Sequence, residues 1–277
     1  MAETKRLVTV IRPSKAWFDF RFKELWERRE LLYFFAWRDV KSRYKQSVLG
    51  IAWVIVQPLV TMVVFSFVFG RLAKLPSDGI PYPLFAYAAV LPWNLFAQSL
   101  TRSTPSIVSN VGLVQRVFFP RLLIPLSSSL TVLVDFAIAF LVVIGLMLYF
   151  GYHPSPRILT LPVFVLLGMA AALGIGLWLS AINARFRDVN QAVPFLVQVW
   201  MYASPVAYSA NSVPENLRFV YSLNPMVGVI HGFRWALLGS ENEPSMTLLI
   251  STLGAIMLLL TGLMFFRRME NTFADVA

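Results

Sequence analysis

Cysteine is absent from the 277 residues, which excludes disulfides and thiolate metal sites and leaves the redox compartment unreadable. The two histidines, His153 and His231, have no neighbouring ligand pattern, so no metal is expected. Charge is scarce as well: 14% of the chain is Asp, Glu, Lys or Arg, against about a quarter in an ordinary soluble domain. The dipeptide Gly-Lys never occurs, so there is no phosphate-cradling GxxxxGK[ST] loop and ATP cannot be handled here in that way. Paired carboxylates and a Ser/His/Asp set are missing too, so no catalytic residue is expected and the chain does not read as an enzyme. Nor does a cleavable signal peptide show, since the first long apolar run starts near residue 49 with no small-residue cleavage site after it.

What is present is apolar: 57% of the residues, a proportion that rules out disorder, a fibrous repeat and a simple cytosolic enzyme. It points to an all-α membrane protein. A helix needs about 20 mostly apolar residues to cross some 30 Å of hydrocarbon. Six stretches qualify: 49–69, 84–100, 126–150, 158–182, 189–208 and 247–266, the fifth being the most polar. The chain therefore divides into a cytoplasmic amphipathic region (1–48), a six-helix transmembrane domain (49–266) and a cytoplasmic tail (267–277). An even number of crossings puts both ends on one side. Nineteen of the 24 Lys and Arg fall on that side, and Arg71, Lys74, Arg157, Arg218 and Arg234 on the other. The basic excess marks the cytoplasmic face, so the charge is a topology and lipid head-group signal rather than a nucleic-acid one.

Three segments outside the spans stand out. Before the first span Phe18, Phe22, Leu25, Trp26, Tyr33, Trp37, Val40 and Tyr44 recur at helical spacing, with Arg21, Lys23, Arg28, Arg38, Lys41 and Arg43 between them. This describes an interface helix in the head-group plane, either a plain anchor on anionic lipid or a guide for a lipid-linked substrate. The loop 101–121 places Leu113, Val114, Val117, Phe118 and Phe119 on the cytoplasmic side, either as a protein contact or packed under the bundle. Residues 212–240 are split at Asn224-Pro225 into two pieces too short to cross, which suggests a re-entrant helix pair, or else a surface loop.

Asp135 is the one ionisable residue well inside a span, where a charge costs at least about 2.5–3.5 kcal/mol. With no Lys or Arg inside a span to pair with it, Gln57, Gln98 and Gln198 are its candidate partners, in a structural or a transport role. Trp53, Phe96, Trp178, Trp200 and Tyr202 also fall in spans. Aromatic faces with a polar tip suit a path that holds sugar rings without gripping them by charge, and they also suit ordinary core or lipid packing.

Four runs carry a family resemblance: LLYFFAWRDVKSRYKQSVLGIAWVIVQPL from Leu31, NVGLVQRVFFPRLLIP from Asn110, NARFRDV from Asn183 and LNPMVGVIHGFRWALLG from Leu223. Together they resemble the permeases of ABC-2-type polysaccharide exporters, the group that moves O-antigen, capsule and teichoic acid. The resemblance implies a homodimer in the bacterial inner membrane, each copy engaging a separate ATP-binding cassette subunit that holds the ATP and magnesium. It implies a coupling helix over 106–119 with Leu113, Arg116 and Phe118 at the contact, and a glycan cargo on polyprenyl pyrophosphate. Arg38, Arg43 and Lys45 would then meet the pyrophosphate or simply anchor the cytoplasmic face. The alternatives are export of a drug or small lipid, an ion-driven transporter, and a membrane enzyme of lipid or glycan synthesis. The lone Asp135 and the absence of a visible internal repeat argue against an ion-driven transporter, and the missing acidic and histidine clusters against an enzyme.

Overall fold

The computed structural model describes residues 22–45, 50–239 and 246–270, together with Phe273. Phe18, Arg21, the lead-in to the first span at 46–49 and most of the tail after Glu270 lie outside the described residues. Among the described residues every regular element is helical.

The chain enters through α1 (Phe22–Glu27) and α2 (Arg29–Lys45). Tyr33 and Trp37 of the expected apolar stripe share one face of α2, their rings stacked at 6.4 Å. Phe35 is buried with Leu31 and Leu32 beside it, while Tyr33, Phe34 and Trp37 face outward, more than half exposed. The guanidinium groups of Arg28, Arg38 and Arg43 turn toward the protein instead of the surface, because hydrogen-bond acceptors wait there.

Helix α3 (Gly50–Phe65) continues through a π-helical stretch, Ser66–Leu72, and α4 (Tyr82–Ser103) follows. The single helix expected across 106–119 is instead two short ones, α5 (Ser106–Ser109) and α6 (Val111–Arg116). Asn110 breaks them, with its Nδ2 donating to the Ser106 carbonyl at 2.9 Å in competition with the helix ladder. Val117 then turns extended, at φ −126° and ψ 132°, on the approach to Pro120. Next come α7 (Leu123–Tyr149), a 3-10 turn over Pro156–Thr160 and α8 (Leu161–Arg185). Helix α9 (Val189–Tyr202) stops short of the expected end at 208, because Pro205 cannot donate to the ladder and disfavours helix in the residue before it. Last are α10 (Glu215–Ser222), α11 (Pro225–Leu238) and α12 (Met246–Glu270).

Helix α4 sits at the centre, packed against α7, α8, α11 and α3, and Leu84 through Trp93 are buried on every side of it. Its small residues Ala86, Ala88 and Ala89 let those neighbours come close. The tightest crossing joins α8 to α12: a Cβ built on Gly262 would lie 2.2 Å from the Gly174 carbonyl oxygen, so backbone rests directly on backbone.

Among the described residues, four helical stretches are long and apolar enough to cross a membrane: Gly50–Leu72, Leu123–Tyr149, Pro156–Arg185 and Met246–Glu270. Helix α4 is long enough, at roughly 33 Å for 1.5 Å per residue, but it is encased by protein and so tolerates polar residues such as Asn94, Gln98 and Ser99. Helix α9, about 21 Å by the same rise, falls short in length.

Candidate functional site

The densest polar arrangement in the fold surrounds Asp135 on α7, which is 4% exposed. Its Oδ2 accepts from Arg43 Nη1 at 2.8 Å and from Arg102 Nη2 at 2.5 Å, and its Oδ1 accepts from the Tyr44 hydroxyl. Arg102 also donates to Gln98 Oε1 and to Thr131 Oγ1 at 3.3 Å. A carboxylate removed from water is tolerable only when its oxygens are paired and hydrogen-bonded, and these two are. The expectation that no basic residue reaches Asp135 is therefore overturned. Arg102 lies in the last turn of α4 rather than in a loop, and Arg43 arrives from α2, an element distant in sequence. Of the three glutamines considered as partners, Gln98 joins through Arg102, whereas Gln57 and Gln198 are exposed on α3 and α9. Burial, and next the Asp135 carboxylate to which it donates, push the Tyr44 phenol up to about 12.

At the same end of the bundle α2 is fastened to the 110–119 segment. Phe35 packs on Phe119 with ring centroids 5.5 Å apart, Arg38 donates to Asn110 Oδ1 at 3.0 Å, and Arg28 Nη1 donates to the Phe118 carbonyl at 3.3 Å. Arg38 is further held by Asp39 at 2.8 Å. Leu113 is half-buried beside this cluster, whereas Arg116, Val117 and Phe118 project outward. Arg38 and Arg43 are thus engaged in internal pairs, and Lys45 stands exposed at the end of α2.

Of the five aromatic candidates, two meet: Phe96 and Trp200 are in edge-to-face contact at 5.3 Å. Trp178 stacks on Phe265 at 4.2 Å, while Trp53 on α3 and Tyr202 at the end of α9 are more than half exposed, so the five do not share one surface of the chain.

At the far end two side chains to which the sequence reading gave no bonding role, Asn224 and Arg234, hold the irregular backbone. The Asn224 side chain caps α11 by accepting from the Met226 amide at 3.0 Å, accepts from Trp200 Nε1 at 3.1 Å and donates to Ser204 Oγ at 2.9 Å. Arg234, 4% exposed, lies with its guanidinium 3.5 Å from the centre of the Phe85 ring and donates to the carbonyls of Phe85, Tyr208 and Val206. Val206 and Tyr208 lie in the non-helical stretch after α9, so their carbonyls lack a ladder partner and Arg234 supplies one, while the Phe85 bond ties that stretch to α4. A non-helical stretch next to a buried Arg was the signal available for Arg234; Asn before Pro at a helix start was the signal for Asn224.

Long apolar helices around a fully packed central one, with an ion cluster near one end and no strand among the described residues, define a multi-pass α-helical membrane protein. Residues 30–238 match the ABC-2 type transporter family, and the chain belongs to it. It is similar to an O-antigen export system permease protein RfbA of Klebsiella pneumoniae, at 29% identity over 86% of this chain and 92% of the relative. A protein of the same name from Myxococcus xanthus is 30% identical over 76% of this chain and 82% of its own length. The polysialic acid transport protein KpsM of Escherichia coli is 23% identical over 84% and 91%.

Proposed function

We propose that this chain is the membrane-spanning permease subunit of an ATP-driven polysaccharide exporter. The observation that carries the reading is the family match across α2 to α11, joined by relatives whose names concern O-antigen export and polysialic acid transport. In this reading α4 and α9, the latter extended by the non-helical stretch after Tyr202, complete six crossings, both chain ends are cytoplasmic in the bacterial inner membrane, and α10 and α11 form a re-entrant pair at the outer mouth. Two copies wall the path. The exposed Arg116, Val117 and Phe118, on a segment pinned from behind by α2, offer the ledge on which a separate ATPase subunit, bearing the ATP and magnesium, would push. The permease itself performs no bond chemistry. Its cargo is a glycan on a polyprenyl pyrophosphate, with Lys45 an exposed cation at the inner surface. An ion-driven cycle finds little support, because the one carboxylate buried in a span among the described residues is already held by two guanidinium groups.

The test is a deletion strain complemented with the wild-type chain or with Phe118→Asp. Loss of surface polysaccharide in the deletion, build-up of lipid-linked glycan inside, and failure of Phe118→Asp to restore export despite normal membrane levels are the expected results. Normal surface polysaccharide in the deletion strain would refute the cargo assignment.

A further inference from the structure

Asp135 joins three helices. The carboxylate belongs to α7, its Oδ1 takes Tyr44 of α2, and its Oδ2 takes both Arg43 of α2 and Arg102 of α4. The middle of α2 is bound to the 110–119 segment through the Arg38–Asn110 bond and the Phe35–Phe119 ring contact. Helix α2 is therefore a rod of 17 residues, about 25 Å long, with one region on the exposed cytoplasmic segment and its tip on a buried ion cluster.

We propose that Asp135 is a positioning residue for transport: through Arg43 and Tyr44 it locks the tip of α2 to α4 and α7. A push on the 110–119 segment then reaches the bundle as a movement of those two helices, instead of being absorbed by α2 lifting away. The residue touches no cargo. The inference rests on the export-permease reading for the origin of the push, whereas the joint itself stands on the distances above.

The geometry also supplies a clean variant. Arg43→Gln removes the ion pair from α2 but leaves Asp135 paired with Arg102, so no buried charge is stranded. Tyr44→Phe removes one hydrogen bond from the same joint and changes no charge. Because the chain has no cysteine, labels can be placed at will, and Lys41 on α2 and Thr101 on α4 are both exposed.

The experiment uses the chain assembled with its ATPase subunit in lipid vesicles, with ATP hydrolysis and glycan export measured on one preparation. Spin labels on Lys41→Cys and Thr101→Cys report the distance between the two helices. In Arg43→Gln, hydrolysis should stay within two-fold of wild type while glycan exported per ATP falls at least ten-fold and the label distances broaden. Tyr44→Phe should lose about three-fold, and Arg43→Lys should recover at least half of the wild-type export. Export per ATP within two-fold of wild type in Arg43→Gln, or unchanged label distances, would overturn the role of Asp135. Wild-type vesicles that move no glycan would instead overturn the function proposed above, and this proposal with it.

Discussion

Replacing Gly262 by alanine puts a single methyl group where α8 and α12 touch through their backbones. The new Cβ would fall 2.2 Å from the Gly174 carbonyl oxygen and 2.9 Å from its carbon, against an ordinary separation of about 3.5 Å. No flexible side chain is there to swing aside, so the two helices must part by about 1 Å. A gap of that size forfeits a quarter to a half of each atom–atom attraction, and with on the order of 30 such pairs at about 0.15 kcal/mol the loss is roughly 1–2 kcal/mol. That agrees with the 1–3 kcal/mol typical of an overpacked interior. Packing of this kind is the main force between helices in lipid, so the loss is not made good elsewhere. The thermal unfolding midpoint in micelles, followed through the fluorescence of the 8 tryptophans, should fall by about 2–4 °C. Gly174→Ala should behave alike, since its Cβ would meet the Leu258 carbonyl carbon at 2.4 Å. The control is Gly145→Ala on α7, where nothing lies within 4 Å and removal of the glycine penalty of about 1 kcal/mol should hold or raise the melting point. If Gly262→Ala melts together with Gly145→Ala, the close-contact argument is wrong.

Two further outcomes can be checked on the same preparation. Asn224→Ala removes the cap of α11 together with the bonds to Trp200 and Ser204, and should lower stability by about 1–2 kcal/mol with a shift in tryptophan emission; an unshifted spectrum would show that the cap does not hold Trp200. The Tyr44 phenol is raised from 10.0 to about 12 in the fold, so its contribution to docking α2 is complete below pH 10 and is lost as pH climbs toward 12. Label distances between α2 and α4 should hold from pH 7 to 10 and broaden above that, with the broadening between 10 and 12 reduced in Tyr44→Phe.

The apolar runs that became α3, α7, α8 and α12 were readable because these helices present much of their surface to lipid, and lipid demands an unbroken apolar run. Helix α4 follows another rule. Its neighbours are protein, so Gln98 and Arg102 are acceptable and its inner end extends past the point where the run stops. The end of α9 was misjudged because hydrophobicity continues through Val206 and Ala207 while Pro205 forbids the helix. Asp135 was legible as a buried charge, but its partners were not. Arg43 and Arg102 lie 92 and 33 residues away, and only the packing of α2 and α4 beside α7 places them on one oxygen. The resemblance implied one helix over 106–119, and the side chain of Asn110 cuts it in two.

The enclosure of α4 settles where motion can occur. Over Leu84–Trp93 the mast is gripped on all sides and trades no surface with lipid or with a second copy, so widening of a passage there must come mainly from helices that lean on it. Helix α3 is barely buried, and α9 hides little beyond Val193. Those two are the staves freest to travel, and reporters on them should swing wider than one fixed to the mast.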